Sequence, residues 1–320
     1  MKLRKIALVL AVALGLSSLA ACTDTDQKLT FTDYWEYNSL VASSSIDETL
    51  TYKVTHEKGL GLDSLGYSLT YGEGEYVTNL KTHTQGYIYT TELTIPVTFQ
   101  YGEDEAETVT DSVTTEVIFQ RSKNALRPIS STKHVVSHTP QNGGATSTGT
   151  CYAFYDFTVA TSYPAEGKAT SVATYTLAEG DPVVMESTFD ANDEKYSYLD
   201  NEQLLLALRA ISSSVSSTSV KIYSPFVEAQ QKINLSFSAV TGGEFTLNYN
   251  GVSEKKTFSY RPVTLVIDDR NPGATQEAWI VTSTDAQKNV YGNMMLKLTV
   301  PLSYSMGSLV YELVSATRAY

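Results

Sequence analysis

From residue 87 to 101 the chain alternates: Tyr87, Tyr89, Leu93, Ile95, Val97, Phe99 and Tyr101 share one parity, with mostly Thr and Gln between them. A period of two is the signature of a strand with one buried face. At about 3.3 Å per residue such a segment extends for ~50 Å, far beyond the usual five or six residues. The acidic residues 102–107 read as a hairpin loop, and the return segment puts Val109, Val113, Val117 and Phe119 on the inner face. Arms this long must twist and coil. The expected fold is therefore mainly β, with large curved antiparallel sheets. Composition agrees: 22 Tyr against 10 Phe and 2 Trp, among abundant Thr, Val and Ser, suits pleated, half-buried surfaces.

Two prolines refine the shape. Pro96 and Pro301 sit inside alternating segments and cannot donate to a ladder, so each predicts an edge, a bulge or a kink. They favour an open, bent sheet over a closed barrel. They also belong to an internal repeat: residues 92–102 (Glu-Leu-Thr-Ile-Pro-Val-Thr-Phe-Gln-Tyr-Gly) align without gaps on 297–307 (Lys-Leu-Thr-Val-Pro-Leu-Ser-Tyr-Ser-Met-Gly). Downstream, 112–118 aligns on 308–314, and upstream 68–71 on 246–249. Alternating strands resemble one another in any case. A proline and a hairpin glycine shared at fixed offsets weigh for duplication, and so for a half-barrel-like module present twice.

One long amphipathic helix is expected, over residues 200–212. Asp200 is its capping residue, and Leu204, Leu205, Leu208 and Ile211 share a face. A weaker helix candidate covers 32–40. A single apolar helix beside many strands is most simply a plug against a curved sheet. The polar stretch 141–149 is the expected boundary, so the chain divides into an N-terminal β module (29–140) and a C-terminal β module (150–320) that carries the helix.

Ahead of these modules, Lys2, Arg4 and Lys5 precede an apolar run over residues 6–16 and a small-residue patch ending Leu19-Ala20-Ala21-Cys22. That is the layout of a removable secretory segment, too short to span a bilayer. The Leu-Ala-Ala-Cys ending resembles the bacterial lipobox, which implies a signal peptide at 1–21 and acylation (palmitate being the expected kind of chain) at Cys22, the first mature residue. Two acyl chains suffice for stable anchoring without a membrane-spanning helix. Residues 22–28 form a polar tether. The expected location is outside the cytoplasm, as a membrane-anchored lipoprotein.

Removing residues 1–21 takes away three basic groups and no acidic ones, so a net charge of -12 becomes -15. A surface this acidic repels nucleic acid and anionic headgroups, which leaves the acyl group as the anchor. The chain has two cysteines. With Cys22 acylated, Cys151 has no partner within the chain and reads as a small buried apolar residue.

Candidate chemistry is sparse. His134 and His138 lie four apart in a strand-like segment, ~13 Å from each other if extended, which no single zinc bridges. Together with His56 and His83 they read as solvated histidines. The segment 61–66 lacks the first glycine of a nucleophile elbow. Ser130 and Lys133 have Ser-x-x-Lys spacing but lead into a strand. Residues 190–194 begin like a calcium loop, yet Lys195 and Asn201 occupy the positions of its glycine and glutamate, so a solvated turn is expected. Asp268 and Asp269 at a strand end read as a charge-balanced turn beside Arg270. No metal or cofactor is expected, and nothing points to an enzyme.

The lipobox, the long antiparallel strands, the amphipathic helix and the closing hairpin of residues 293–314 together resemble the lipoprotein half-barrels of the LolA/LppX type, mainly over residues 152–320. The resemblance implies a curved sheet wrapped about helices, with an apolar hollow for lipids. The first expectation is a lipid-anchored envelope binding protein that holds an apolar or amphiphilic ligand between sheet and helix, with Phe237, Phe245, Tyr249, Phe258 and Tyr260 as ligand-lining candidates. Plain core packing is the alternative role for those aromatics. The alternative function is a structural or interaction scaffold of the envelope. A hydrolase, with Asp268 or Asp269 beside His or Ser, comes third.

Overall fold

The computed structural model describes residues 29, 31, 45–59, 67–103, 105–120, 126–140, 152–176, 181–192, 196–224, 229–267, 275–282, 291–302 and 306–319. The export segment, Cys22, the tether, the helix candidate at 32–40, the segment 61–66, the boundary 141–149, Cys151 and the acidic turn 268–273 lie outside the described residues.

The chain runs through β1 (Asp47–Lys58), β2 (Tyr67–Tyr71) and β3 (Gly74–His83) into the long hairpin of β4 (Gly86–Tyr101) and β5 (Glu107–Gln120). A meander continues through β6 (Pro128–Pro140), β7 (Tyr152–Ser162), β8 (Ala169–Thr176) and β9 (Val183–Phe189). The two-residue β10 (Ser197–Tyr198), a 3-10 turn (Asn201–Gln203) and the short helix α1 (Leu204–Leu208) follow. The elements described in the second half are strands: β11 (Ser217–Ser224), β12 (Ala229–Phe237), β13 (Thr241–Tyr249), β14 (Val252–Ile267), β15 (Gln276–Val281), β16 (Met295–Pro301) and β17 (Gly307–Ala319).

The alternating segment is one 16-residue strand, β4, and its expected parity is the buried one: Tyr87, Tyr89, Ile95, Val97 and Phe99 lie in the core. On one side β4 pairs with β5 along its length, from Gly86↔Gln120 to Phe99↔Glu107. On the other it changes partner, from β3 (Glu75↔Thr94) to β2 (Tyr71↔Val97). Pro96 sits at this seam, where the Gly72 N–H donates to its carbonyl at 2.8 Å. A Cβ on Gly72 would stand 2.8 Å from the proline ring, so the seam needs glycine there. The proline marks a kink between partners, as its missing donor requires.

Strands β3 to β9 form an antiparallel run that ends on β9. In the second half, β13, β14, β15, β16 and β17 pair in order, and a two-residue parallel contact (Asn248↔Ser315, Tyr249↔Ala316) joins β17 back to β13. These five strands close into a barrel. The sheet is thus open at the β9 side, as the prolines imply, and closed at the other, which they do not. Pro301 is compatible with closure because it ends β16 and leaves the ladder beyond it to the turn. β1 joins the halves: it pairs with β3 and, across its whole length, with β17.

The two repeat hairpins share a physical feature at their glycines. Gly102 has φ +57° and Gly307 φ +97°, and a Cβ on Gly307 would lie 1.9 Å from the Glu57 carbonyl oxygen. The upstream parts of the repeat pair differently. Residues 68–71 belong to β2, beside β4, whereas 246–249 belong to β13, beside β14 and β17.

The helix is shorter than its sequence predicts. The expected 200–212 helix is one 3-10 turn plus five α-helical residues, and Ile211 already makes a β-bridge to Phe31. The buried residues are Leu206, Ala207, Leu208, Ala210 and Ile211, while Leu204 and Leu205 are half-buried. A segment apolar on every side leaves its buried face undetermined by periodicity. What ends the helix is Arg209. Its guanidinium turns into the core, where Nη1 and Nη2 donate to the two Glu48 carboxylate oxygens at 2.8 and 2.9 Å and Nε donates to the Asn293 carbonyl at 2.6 Å. Arg318, the direct β17 partner of Glu48, donates its Nε to Oε2 at 2.5 Å.

Glu48 is 1% exposed. Burial alone would raise its pKa, but Arg209 and Arg318 outweigh that and hold it at about 2. Such a group stabilises the fold fully above its unfolded pKa, near 4.5, and the contribution disappears as pH falls through about 2. Glu48→Gln strands two buried guanidiniums and is expected to cost about 3–5 kcal/mol in urea unfolding at pH 7. The deficit should shrink as the unfolding is repeated toward pH 2.

Candidate ligand-binding site

Four of the five aromatic candidates come together. Register puts Phe245, Phe258 and Tyr260 on one face of β13 and β14, and Trp279 of β15 joins them there. The ring centroids of Phe245 lie 6.0 Å from Phe258, 5.7 Å from Tyr260 and 6.2 Å from Trp279. Tyr291, from the loop before β16, meets Tyr249 at 4.8 Å and Phe258 at 5.3 Å. Tyr260 stacks on Trp279 at 4.6 Å, and the Lys297 ammonium lies 5.0 Å from the same indole. These contacts are a cross-strand ladder of the kind that stabilises sheets.

Phe237 is elsewhere. It pairs with Val263, in the half of β14 whose odd-numbered residues are buried, and the Arg261 guanidinium lies over its ring at 4.6 Å. β14 changes its buried parity between Tyr260 and Arg261 because its first half pairs with β13 and its second with β12. Alternation read from sequence cannot follow such a switch.

A second site lies where the 3-10 turn packs on β5, β6 and β11. Asp200 caps the turn: its Oδ1 accepts from the Glu202 N–H at 2.9 Å, and its Oδ2 accepts from the Ser131 and Tyr163 hydroxyls, both at 2.6 Å. Burial, then the nearby Glu202 charge, pushes its pKa up. Lys133 donates to Glu202 at 3.0 Å. Gln203, the last residue of the turn, is 0% exposed, and neither its amide nitrogen nor its amide oxygen has a protein hydrogen-bond partner.

The sheet under this turn is banded. Odd-numbered residues of β6 and β7 and their partners share its inner face. One row is Val113–Val135–Phe157–Tyr175, the next Thr115–Lys133–Val159–Ala173–Met185, and the third Val117–Ser131–Thr161–Ser171–Ser187. Val135, Phe157, Val159 and Ala173 form an apolar cluster separate from the main core, with Val113, Tyr175 and Met185 against it. The hydroxyl row beside it is linked internally, with Thr161 and Ser171 oxygens 3.2 Å apart, and ends on Asp200 and on the Tyr223 hydroxyl, which donates to Ser187 at 2.7 Å. Beyond it lies an aromatic cluster in which Phe189 stacks on Tyr223 at 3.9 Å.

The remaining sequence candidates resolve individually. His134 and His138 both lie on strand β6. His134 is a surface residue, 2.8 Å from Asp156. His138 departs from the solvated expectation: its side chain is 12% exposed, Nδ1 is 2.7 Å from Asp111 Oδ1, and its backbone N–H donates to the same oxygen. Ser137 donates to Asp111 Oδ2, so the carboxylate is shared by two neighbours of one strand. Burial raises the Asp111 pKa, against these hydrogen bonds. His56 Nε2 is 2.7 Å from the Met306 carbonyl oxygen, and His83 accepts from the Gln85 N–H. Ser130 and Lys133 are three apart on a strand and so face opposite sides. Asp190 closes a local turn by accepting from the Asn192 N–H. Among the described residues no three His, Cys, Asp or Glu side chains group as metal ligands, and no helix is long and apolar enough to cross a membrane.

Among the described residues the protein is mostly strand with one short helix, and it contains a closed five-strand barrel. No known family matches the chain, and no curated protein matches its sequence. Among solved structures it resembles the beta-barrel-like protein of domain of unknown function DUF1849 from Brucella abortus. The two are 10% identical with a TM-score of 0.47, over 86% of this chain and 98% of that one.

Asp200→Ala removes the cap and leaves two buried hydroxyls without their acceptor, an expected loss of about 2–4 kcal/mol. Asp200→Asn keeps the cap oxygen and removes the desolvated charge, so it should stay within about 1 kcal/mol of the parent. Because the folded Asp200 pKa is raised, the parent itself should gain stability from this group as pH falls through that value, and the Asn variant should lack that gain. Urea unfolding of the three proteins between pH 4 and pH 8 reads both effects.

Proposed function

We propose that this chain is a lipid-anchored protein of the bacterial envelope that holds an apolar or amphiphilic ligand between its curved sheet and α1. The observation that carries the reading is the banded inner face of β5 to β9. An apolar cluster, separate from the main core, borders a row of hydroxyls ending on Asp200. An amphiphile matches that order, with its tail along Val135, Phe157, Val159 and Ala173 and its head toward Ser131 and Asp200. Each buried methylene contributes ~0.8 kcal/mol, so even a short tail supplies useful affinity. The lipobox-like ending at Cys22 supports delivery to a membrane surface, where such ligands are found.

A scaffold function has its own observation. β9 pairs with β8 alone among the described strands, and it exposes Val183 (45%) and Val184 (62%) on that edge. An edge of this kind can take a strand from a partner.

Mass spectrometry of lipids extracted from secreted Cys22→Ser protein separates the two. A co-purifying amphiphile near one per chain is the expected result. An empty protein that gains no thermal stability across a lipid panel, and loses self-association or partner capture on Val184→Lys, supports the scaffold.

A further inference from the structure

Gln203 is the least explained polar group in the described fold. Its side chain is completely buried in the turn on β5, β6 and β11, and both ends of its amide lack a protein partner. A buried amide without partners is unfavourable, and native interiors rarely keep one without a reason. Substitution by leucine of similar size would remove the penalty, so packing does not call for glutamine here. The charged groups of the turn are engaged with other protein groups, while the buried Tyr198 hydroxyl close to Asp200, like Gln203, has no protein hydrogen-bond partner. Asp200 accepts from Ser131 and Tyr163, and Lys133 is paired with Glu202. Gln203 therefore offers an unused donor and an unused acceptor, side by side, in the turn whose cap, Asp200, receives the end of the hydroxyl row.

We propose that Gln203 receives the head group of the bound amphiphile, and that this head is uncharged and carries both a hydrogen-bond donor and an acceptor, as a glyceryl ester or a primary amide does. The assignment rests on the binding function proposed above and specifies its ligand class. Charge decides against an anionic head. Asp200 and Glu202 both precede Gln203 within three residues, and Lys133 is the only cation paired to them among the described contacts, so the three formal charges sum to -1. A carboxylate or phosphate placed there would meet that charge in a desolvated site. A neutral donor–acceptor head instead satisfies both amide atoms at once.

The test uses the secreted mature chain with Cys22→Ser, alone and with Gln203→Leu. Each is titrated at pH 8 with 1-monooleoylglycerol, oleamide and oleate, and each melting curve is recorded without lipid. The parent is expected to bind monooleoylglycerol and oleamide at least ~10-fold more tightly than oleate. Gln203→Leu should lose at least ~10-fold of the affinity for the two neutral lipids, while its lipid-free melting point rises by about 2–4 °C as the unpaired amide disappears. Equal binding of the neutral lipids by parent and variant overturns the role of Gln203 and leaves the binding function standing. Oleate bound as tightly as monooleoylglycerol overturns the neutral head. A variant that melts lower than the parent shows that the amide is satisfied within the folded protein, and it overturns the proposal too. No binding of any of the three, with no lipid extracted from the parent, overturns the binding function itself.

Discussion

A single buried carboxylate holds the two halves of this protein in register. Glu48 of β1 is clasped by Arg209, 161 residues away, and by Arg318, 270 residues away. The three groups tie the first strand, the end of the helix and the last strand to one point. Arg209 also donates to the Asn293 carbonyl and Arg318 to that of Gly292, so the loop before β16 is gathered in as well. Such a cluster need not add net stability over a well-packed apolar one, because desolvating three charges is costly. Its effect is on alternatives. A two-residue slip of β1 against β17, which keeps each side chain on its face, would bury Glu48 without Arg318 opposite it, and the low-dielectric interior penalises that heavily. The bulge between Thr51 and Tyr52, three residues from Glu48, is a second fixed point of that pairing.

Pinning β1 to β17 shapes the rest. β1 carries β3 on its other edge, so the antiparallel run from β3 to β9 grows outward from the closed five-strand barrel. On the barrel side Phe245, Tyr260, Trp279 and their neighbours pack ring against ring. The open side is built differently: its inner face is banded, and the 3-10 turn packs on β5 and β6 at its edge. Closure on one flank and openness on the other follow from which strands find a second partner.

Much of this was legible in the sequence. The parity of β4, its hairpin with β5 and the interruption at Pro96 all follow from a two-residue period and a missing N–H. The helix length was not, because Leu204–Leu208 is apolar on all sides and the residue that ends it, Arg209, is drawn away by a distant partner. The charge cluster still left a trace. Glu48 has the parity of Leu50, Tyr52 and Val54, and Asp111 has that of Val109, Val113 and Val117. A carboxylate on the apolar parity of a strand is a local conflict, and such conflicts mark buried networks. The aromatic candidates were chosen by composition, which does not show that Phe237 pairs with the half of β14 whose buried parity differs from that of Phe258 and Tyr260. The banded face could not be read at all, since each band is one residue from each of several strands.

The bands also explain how charge is kept off the apolar strip. Lys133 lies in a row with Val159 and Ala173, but its ammonium reaches Glu202 on the turn. Its stem can lie along the strip while its head leaves it. Asp200 faces the hydroxyl row and takes Ser131 and Tyr163. The 3-10 turn thus acts as a lid of polar partners for whatever the sheet presents beneath it. Asp200 caps the same 3-10 turn that ends on Gln203, so the capped carboxylate and the unpaired amide belong to one element. The distortion that shortens the helix and the polarity of the inner face are one arrangement, set by where Asp200 must cap and where Arg209 must leave.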